Sequence, residues 1–590
     1  MEEPSAHIHH PRIPDAIGGI QVNFCKNPLC GNYGVPASAG QQPKGRNQSD
    51  RDTYALSGSK KNIPVLKCHK CGEFPPIKSN LGIFEEVERL EDCFTTSPEP
   101  SCPNVACDNH SLPISTPKAY YSFGKTKSGS QRYRCRLCET TFAVGGPALR
   151  QKRPEVNESV FKLLVNKVPF NRIMEVAGIS ASTLYGKIDF IHKQCVVFAA
   201  VQESRLRRMK IPRLYLSVDR QDYVINWQHA GDKRNIILSA VGSADNESGY
   251  IFGCHLNYDM NLDSRSVESD ANELGDHDVP PPFRRYARLW LSSDYKESLK
   301  GRAATSAKRK QILADIETVY DNNLQRDDIE RPDDKDNEVA LPFSGMQVHA
   351  EYTLYGHFFF LKRLLPCVEK LRFYMDQESG IRAACLAAFH SEVLQKRCDA
   401  FYVRINKDLT INQKRQLKAE SDRELNRLGE SSAAYADLLD KDLRHILIKA
   451  RMEHLVGIGR WNDRWLLYPF PDMSEPEKAI CWLTDLRDKS YDADHLANLY
   501  SKATLHGIDR FFMQIRRRIS LLERPISTSS AGNRRWYGYG PYNPAVVVKL
   551  LEIFRVFYNF VETGKDKMTP AMRLGLTTRH ETLTNILCVR

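Results

Sequence analysis

The stretch LYLSVDRQDYVINWQHAGDKRNIILSAVGSADNESGYIFGCHLNY, residues 214–258, decides the fold class. Within it, LYLSVD (214–219), YVINW (223–227), NIILSAV (235–241) and GYIFGCHLNY (249–258) are β-branched and aromatic, and short polar segments separate them. Strand-forming runs joined by short turns predict an antiparallel meander. Further on, LRFYM (371–375) and AFYVRI (400–405) read as strands with a helix from Ile381 between them, so the sheet is expected to be of mixed α/β type. An aromatic, helical stretch at Tyr352–Leu365 precedes them. The span 259–340 is polar and Asp-rich and reads as an insertion or a set of loops. Residues 410–500 read as mostly charged helix. Helices around 505–522 and 544–562 flank an aromatic loop at 536–542.

Upstream of the meander the composition changes. Residues 1 to about 145 are rich in Gly, Pro, Ser and Asn with little periodicity, and eight of the 16 cysteines fall there in spaced pairs. Cys25 and Cys30 enclose four residues and Cys68 and Cys71 two; Cys102 and Cys107, then Cys135 and Cys138, repeat the scheme. Tetrahedral zinc takes four thiolates, and two short-spaced pairs on two knuckles supply them without strain. Two structural Zn²⁺ sites are therefore expected, each closed by four sulfurs with no open position for chemistry. His69 and His110 stand beside ligands but are not needed, and Cys93 belongs to neither set. The other cysteines are scattered singly, as small buried hydrophobes, which points to a reducing, cytoplasmic compartment.

Residues 170–195, FNRIMEVAGISASTLYGKIDFIHKQC, fit two helices at a sharp turn. Ile173, Val176 and Ala177 would face inward on the first helix, and Gly178 supplies the positive φ of the turn. Ser180 is the N-cap of a second helix that turns Leu184 and Ile188 inward. Ser182, Thr183, Tyr185 and Lys187 are then the expected DNA contacts of a helix-turn-helix; the plainer alternative is a small amphipathic hairpin.

Three acids are candidates for a catalytic metal site. Asp219 closes LYLSVD, and Asp376 follows LRFYM just before Gly380-Ile381-Arg382 opens a helix. In LHGIDRFFMQIRRRISLLERP (505–525), Ile508, Phe511, Phe512, Ile515, Ile519 and Leu522 form a helical apolar stripe, with Asp509 at its border and Arg516 and Arg517 beyond. Carboxylates at neighbouring strand tips suit Mg²⁺ or Mn²⁺, which prefer hard oxygen ligands and serve phosphodiester chemistry. Taken singly, Asp219 fits a turn cap, with Asp222 as the alternative ligand, Asp376 an N-cap, and Asp509 a helix-start acid. Glu523 and Glu552 are reserve third acids, with Asp294 and Glu351 more distant alternatives. The aromatic run Trp536-Tyr537-Gly538-Tyr539 fits either base stacking or, better, core packing.

On these residues the chain resembles bacterial insertion-sequence transposases of the DDE/DDD class. The order of ribbon, helix-turn-helix and meander matches, as does a helix with an acid, apolar positions and a basic residue seven places on. The ending FRVFYNFVETGKDKMTPAMRLGL (554–576) is also similar. The third acid differs, being Asp509 where many relatives have Glu, and long insertions separate the acids. The resemblance implies an RNase H-like catalytic domain over 206–530, interrupted by insertions near 259–365 and 410–500. Ahead of it come ribbons at 1–90 and 91–150 and a helix-turn-helix at 151–205; a helical tail at 531–590 follows. It implies metal-dependent cleavage at element ends, then strand transfer by the 3′-hydroxyl, on double-stranded element-end and target DNA, by a homo-oligomer associated with the nucleoid. A domesticated DNA-binding protein without cleavage, or a nuclease that cuts without joining, are the alternatives. Bulk properties agree: 590 residues exceed a single core, and a net charge of +12 with pI about 8.9 suits a polyanion. No run nears the ~20 apolar residues of a membrane span, and the Met1-Glu2-Glu3-Pro4 start lacks a secretory pattern.

Overall fold

The computed structural model describes residues 11–38, 53–58, 64–92, 100–114, 116–126, 131–144, 151–225, 236–299, 316, 345–378, 380–406, 408–459, 462–485, 491–523, 526–527, 535–536 and 543–588. The chain divides into two compact units, one of residues 1–89, 209–512 and 542–544, the other of 90–208, 513–541 and 545–590.

The first unit is built on an eight-stranded mixed sheet. Its strands are β1 (Ile211–Ile225), β2 (Ile236–Asp245), β3 (Ile251–Leu256), β4 (Val368–Asp376), β5 (Cys398–Ile405), β6 (Val456–Ile458), β7 (Asp463–Leu467) and β8 (Lys478–Trp482). Their order across the sheet is β6-β7-β8-β5-β4-β1-β2-β3. The meander β1-β2-β3 is antiparallel as expected, whereas β4 runs parallel to β1 and β5 parallel to β4. Side chains alternate across a strand, so Leu214, Leu216 and Val218 of β1 share one face and Tyr215, Ser217 and Asp219 the other. Both faces are covered. On the first, helix Ala350–Leu364 sets Phe358 edge-on to Phe373 of β4, with ring centroids 5.5 Å apart. On the second, helix His506–Arg518 donates its Ile508 N–H to Ser217 Oγ at 3.1 Å.

The first ribbon belongs to the same unit. Its hairpin pairs Tyr54–Gly58 with Pro64–Cys68, and Tyr33 donates its hydroxyl to the Leu386 carbonyl at 2.9 Å. The following helix, Asn80–Asp92, places Glu86 in a buried ionic cluster with Arg89 and Arg288, where Thr353 also donates to it. An unpaired charge at that depth would be costly; two guanidinium groups remove the problem.

The second unit holds a three-stranded sheet (Tyr120–Lys125, Gln131–Cys135, Thr141–Val144) and the helices Asn157–Leu164, Phe170–Ala177 and Ala181–Glu203. Helix Pro544–Phe560 brings Phe560 edge-on to Phe198, centroids 5.0 Å apart, and its buried Arg555 binds the fully buried Glu203 at 2.5 Å.

Several expectations change. LYLSVD and YVINW are parts of one 15-residue strand, because Arg220, Gln221 and Asp222 pair with Val241, Ala240 and Ser239 and leave no turn between. The 410–500 region holds β6, β7 and β8 besides its helices Ile411–Glu430 and Asp440–Met452; Trp465, Leu466, Ala479 and Ile480 are buried there as the sheet extends past β5. Within 259–344 the described residues include the helices Ser264–Glu273 and Ser292–Leu299. Arg535–Trp536 pairs with Ile526–Ser527, while Tyr537 to Tyr542 lie outside the described residues, as does Cys93. Cys195, Cys254, Cys385, Cys398 and Cys481 are buried as expected, but Cys367 and Cys588 are exposed.

Candidate metal centres

Each ribbon gathers its four cysteines, Cys25, Cys30, Cys68 and Cys71 in one and Cys102, Cys107, Cys135 and Cys138 in the other. Sulfur–sulfur distances are 3.4 Å for Cys25–Cys71, 3.7 Å for Cys30–Cys68, 3.4 Å for Cys102–Cys138 and 3.8 Å for Cys107–Cys135. Four sulfurs at a Zn–S distance of about 2.3 Å stand about 3.8 Å apart at the corners of a tetrahedron, so both sets fit zinc with little adjustment. The two sites share a local plan. Cys25-Lys26-Asn27-Pro28-Leu29-Cys30-Gly31-Asn32 matches Cys102-Pro103-Asn104-Val105-Ala106-Cys107-Asp108-Asn109 in its cysteines and asparagines. Asn32 Nδ2 donates to Cys68 Sγ at 3.3 Å, and Asn109 Nδ2 to Cys135 Sγ at 3.2 Å. Tyr54 and Tyr120 each accept the N–H of the first cysteine at 3.0 Å, and each sits across the hairpin from the third.

Donors aimed at sulfur favour thiolate, the form that ligates metal. In the second ribbon, the hydrogen bond with the Thr140 hydroxyl draws Cys138 down to about 6, while burial pushes Cys102 up to about 12. In the first, Cys71 falls to about 5 through its contact with Cys25, which is driven far up by the same contact. Four thiols crowded this way hold their protons unequally, and a divalent cation relieves the conflict. His110 is not needed as a ligand; its Nδ1 lies 2.6 Å from the Cys102 carbonyl.

The third group of metal-ligating side chains is acidic. Asp219, Asp376 and Glu378 each bring a carboxylate oxygen within 4.8 Å of the others. The parallel register explains the first two: Met375 pairs with Val218, so Asp376, at the end of β4, comes beside Asp219 on the same sheet face. The strand then leaves the sheet through Gln377 and Glu378, whose N–H groups bond to Asp376 Oδ1 at 2.8 Å and to its carbonyl at 2.9 Å. Gly380, at φ +79°, starts helix Ile381–Ala388. Oxygens around one Mg²⁺ lie about 3–4.2 Å apart at a bond length near 2.1 Å, so small side-chain movements close the site on a cation. Two arginines neutralise part of the charge: Arg220 Nε pairs with Glu378, and Arg404 lies 3.9 Å from Asp376. Glu378 was not among the candidates from sequence; the signal was an Asp-x-Glu at a strand end.

Asp509 is not one of those three. It lies half-buried on helix 506–518, one residue after Ile508, which packs over Gly242, the cross-strand partner of Asp219. Asp222 lies an odd number of positions from Asp219 and so on the opposite face, where Ser239 Oγ donates to it. The reserve acids are engaged elsewhere: Glu523 with Lys167, Glu552 with Arg555, Asp294 with Arg284 and Glu351 with Lys78.

The turn between 170 and 203 has the anticipated chemistry. Gly178 ends the first helix at φ +59°, and Ser180 Oγ accepts the Thr183 N–H at 3.3 Å. Leu184 and Ile188 are 1 % exposed. Ser182 and Tyr185 are exposed, and Thr183 is half-buried with its hydroxyl 3.0 Å from that of Ser180. Two side chains differ from expectation. Val176 is 70 % exposed, not inward. Lys187 is 1 % exposed, and its ammonium donates to the Lys152 carbonyl; at three positions past Leu184 it falls on the inner side of the helix. Lys187 is therefore not an exposed contact position, contrary to the expectation from sequence. Arg516 is half-buried and Arg517 exposed near the end of helix 506–518. No described helix is long and apolar enough to cross a membrane. No protein-family model matches the chain, and no curated protein matches it.

Proposed function

We propose that the chain is a DNA transposase, cutting element ends and joining the freed 3′-hydroxyl to target DNA at a centre built on Asp219 and Asp376. The observation that carries this reading is the meeting of those two acids, from strands paired in parallel, within 4.8 Å of a third carboxylate. The order β3-β2-β1-β4-β5, with only β2 antiparallel to its neighbours, supports an RNase H-like reading of the sheet. So does the arrival, after β5, of a helix bearing Asp509 on the face of Asp219. Mg²⁺ or Mn²⁺ held by Asp219, Asp376 and either Glu378 or Asp509 would supply activation of the attacking oxygen and stabilisation of the leaving one. The protein's own part is to hold the carboxylates converged and to bring phosphates there, for which Arg516 and Arg517 are suited by charge. The cysteine sets are structural zinc sites in this reading, and Ser182, Thr183 and Tyr185 are the base-reading contacts.

The test is cleavage of a duplex carrying the gene's own flanks, in Mg²⁺ or Mn²⁺. Asp219→Asn and Asp376→Asn should each abolish cleavage and keep duplex binding, since binding contacts lie elsewhere. Comparing Glu378→Gln with Asp509→Asn identifies the third ligand. Wild-type protein that binds the flanks but never cuts them sinks the catalytic reading. One observation favours the alternative, a DNA-binding protein without cleavage: Arg220 and Arg404 already offset charge at the acidic cluster.

A further inference from the structure

The three-stranded sheet of the second ribbon has two unlike faces. Tyr120, Tyr133, Cys135 and Phe142 turn towards the cysteine cluster and pack there. The opposite face carries Tyr121 and Phe123 from one strand and Arg132 and Arg134 from the next, with Tyr121 directly across from Arg134. Tyr121 is 37 % and Phe123 39 % exposed. The guanidinium groups lie on these rings: Arg132 and Arg134 stand 5.2 and 5.7 Å from the Phe123 centroid, and Arg136 stands 5.6 Å from that of Tyr121. Among the described residues from 116 to 144 the bases are Lys118, Lys125, Arg132, Arg134 and Arg136, and Glu139 is the single acid, paired with Arg134.

We infer that this face is a docking surface for the phosphate backbone of duplex DNA. An arginine stacked on an aromatic ring loses little further freedom on binding, and its planar fork matches phosphate oxygens. Arg132 and Arg134, two positions apart on one strand, stand about 6.8 Å apart along it, so they face successive groups of a linear polyanion. The charge is predominantly positive, and at Arg132 and Arg136 no carboxylate among the described residues offsets it. The ring faces are already covered by guanidinium, which disfavours base stacking from a single strand and favours backbone contact. The inference deepens the DNA-binding half of the function proposed above. It also supplies positive charge that the burial of Lys187 removes from the surface of the helix-turn-helix.

The experiment measures binding of the full chain, zinc-loaded, to a short duplex of random sequence over a salt series. Arg132→Gln/Arg136→Gln should weaken binding and reduce the slope of log K against log salt by about 1.8, about 0.9 for each phosphate no longer neutralised. Arg132→Lys/Arg136→Lys should restore most of the slope, and zinc content equal to wild type shows the ribbon intact. Wild-type affinity and slope in the glutamine variant would overturn the inference and leave the face to a protein partner. Absence of duplex binding by the wild type would overturn it together with the DNA-binding reading. Binding with the expected slope change but no cleavage of the gene's flanks would support the docking face while sinking only the catalytic reading.

Discussion

Gly242 offers the sharpest test of how the helix bearing Asp509 is seated. It lies on β2 opposite Asp219, and a Cβ added there would stand 2.6 Å from Ile508 Cδ1 and 3.0 Å from Phe512 Cζ. Carbon atoms at rest are about 3.5–4.0 Å apart, so Gly242→Ala forces the helix or its side chains to give way. Ile508 and Phe511 are fully buried and Phe512 nearly so, which leaves little room for that. Overpacking of this kind costs about 1–3 kcal/mol. Gly242 is not at positive φ, so alanine recovers about 0.5–1 kcal/mol of backbone entropy, and the net loss is about 0–2.5 kcal/mol. Ile508→Val removes the nearest clashing atom and by itself costs about 0.5–1.5 kcal/mol. In the alanine background it should cost much less, giving a coupling of at least about 0.5 kcal/mol. The assay is urea unfolding of the four proteins of the cycle, followed by fluorescence of tryptophans that include the fully buried Trp465. A Gly242→Ala protein more stable than wild type, or strict additivity in the cycle, refutes the proposed seating.

Two further predictions concern metal and pH. Purified protein should carry about two zinc ions per chain, and Cys135→Ser should lower this to about one while unfolding the second ribbon; elemental analysis without zinc refutes both sites. His357, fully buried 2.9 Å from His255, is pushed by burial down to about 3. It stays neutral when folded, whereas the unfolded chain takes up a proton below about pH 6.5. Its contribution is therefore fully present above that pH and is lost as pH falls towards about 3, at about 1.4 kcal/mol per pH unit. Urea midpoints taken across this range should fall less steeply for His357→Gln, by about one proton's worth; an unchanged slope counts against the assignment.

What the sequence determined by itself was local chemistry. Two cysteine pairs with short spacings define each ribbon because ligands a few residues apart must share a knuckle. Gly178 and Ser180 mark the turn between two helices because a positive φ and an N-cap are properties of single residues. Asp219 and Asp376 stood out because each closes a strand-forming run. The tertiary structure decided what depends on distant partners. That these two acids meet follows from parallel pairing of β1 with β4 across a long stretch of chain, which no local pattern encodes. Glu378 joins them only because the chain turns out of the sheet at Asp376. The run Arg220-Gln221-Asp222 looked like a turn and became strand, since β2 satisfies its backbone on one side. Lys187 read as exposed by its charge, yet its helical phase sets it inside, where a backbone carbonyl receives its ammonium. Spacing within a few residues is fixed by covalent geometry, whereas burial and convergence are fixed by whichever distant segment supplies the missing hydrogen bonds and apolar contacts.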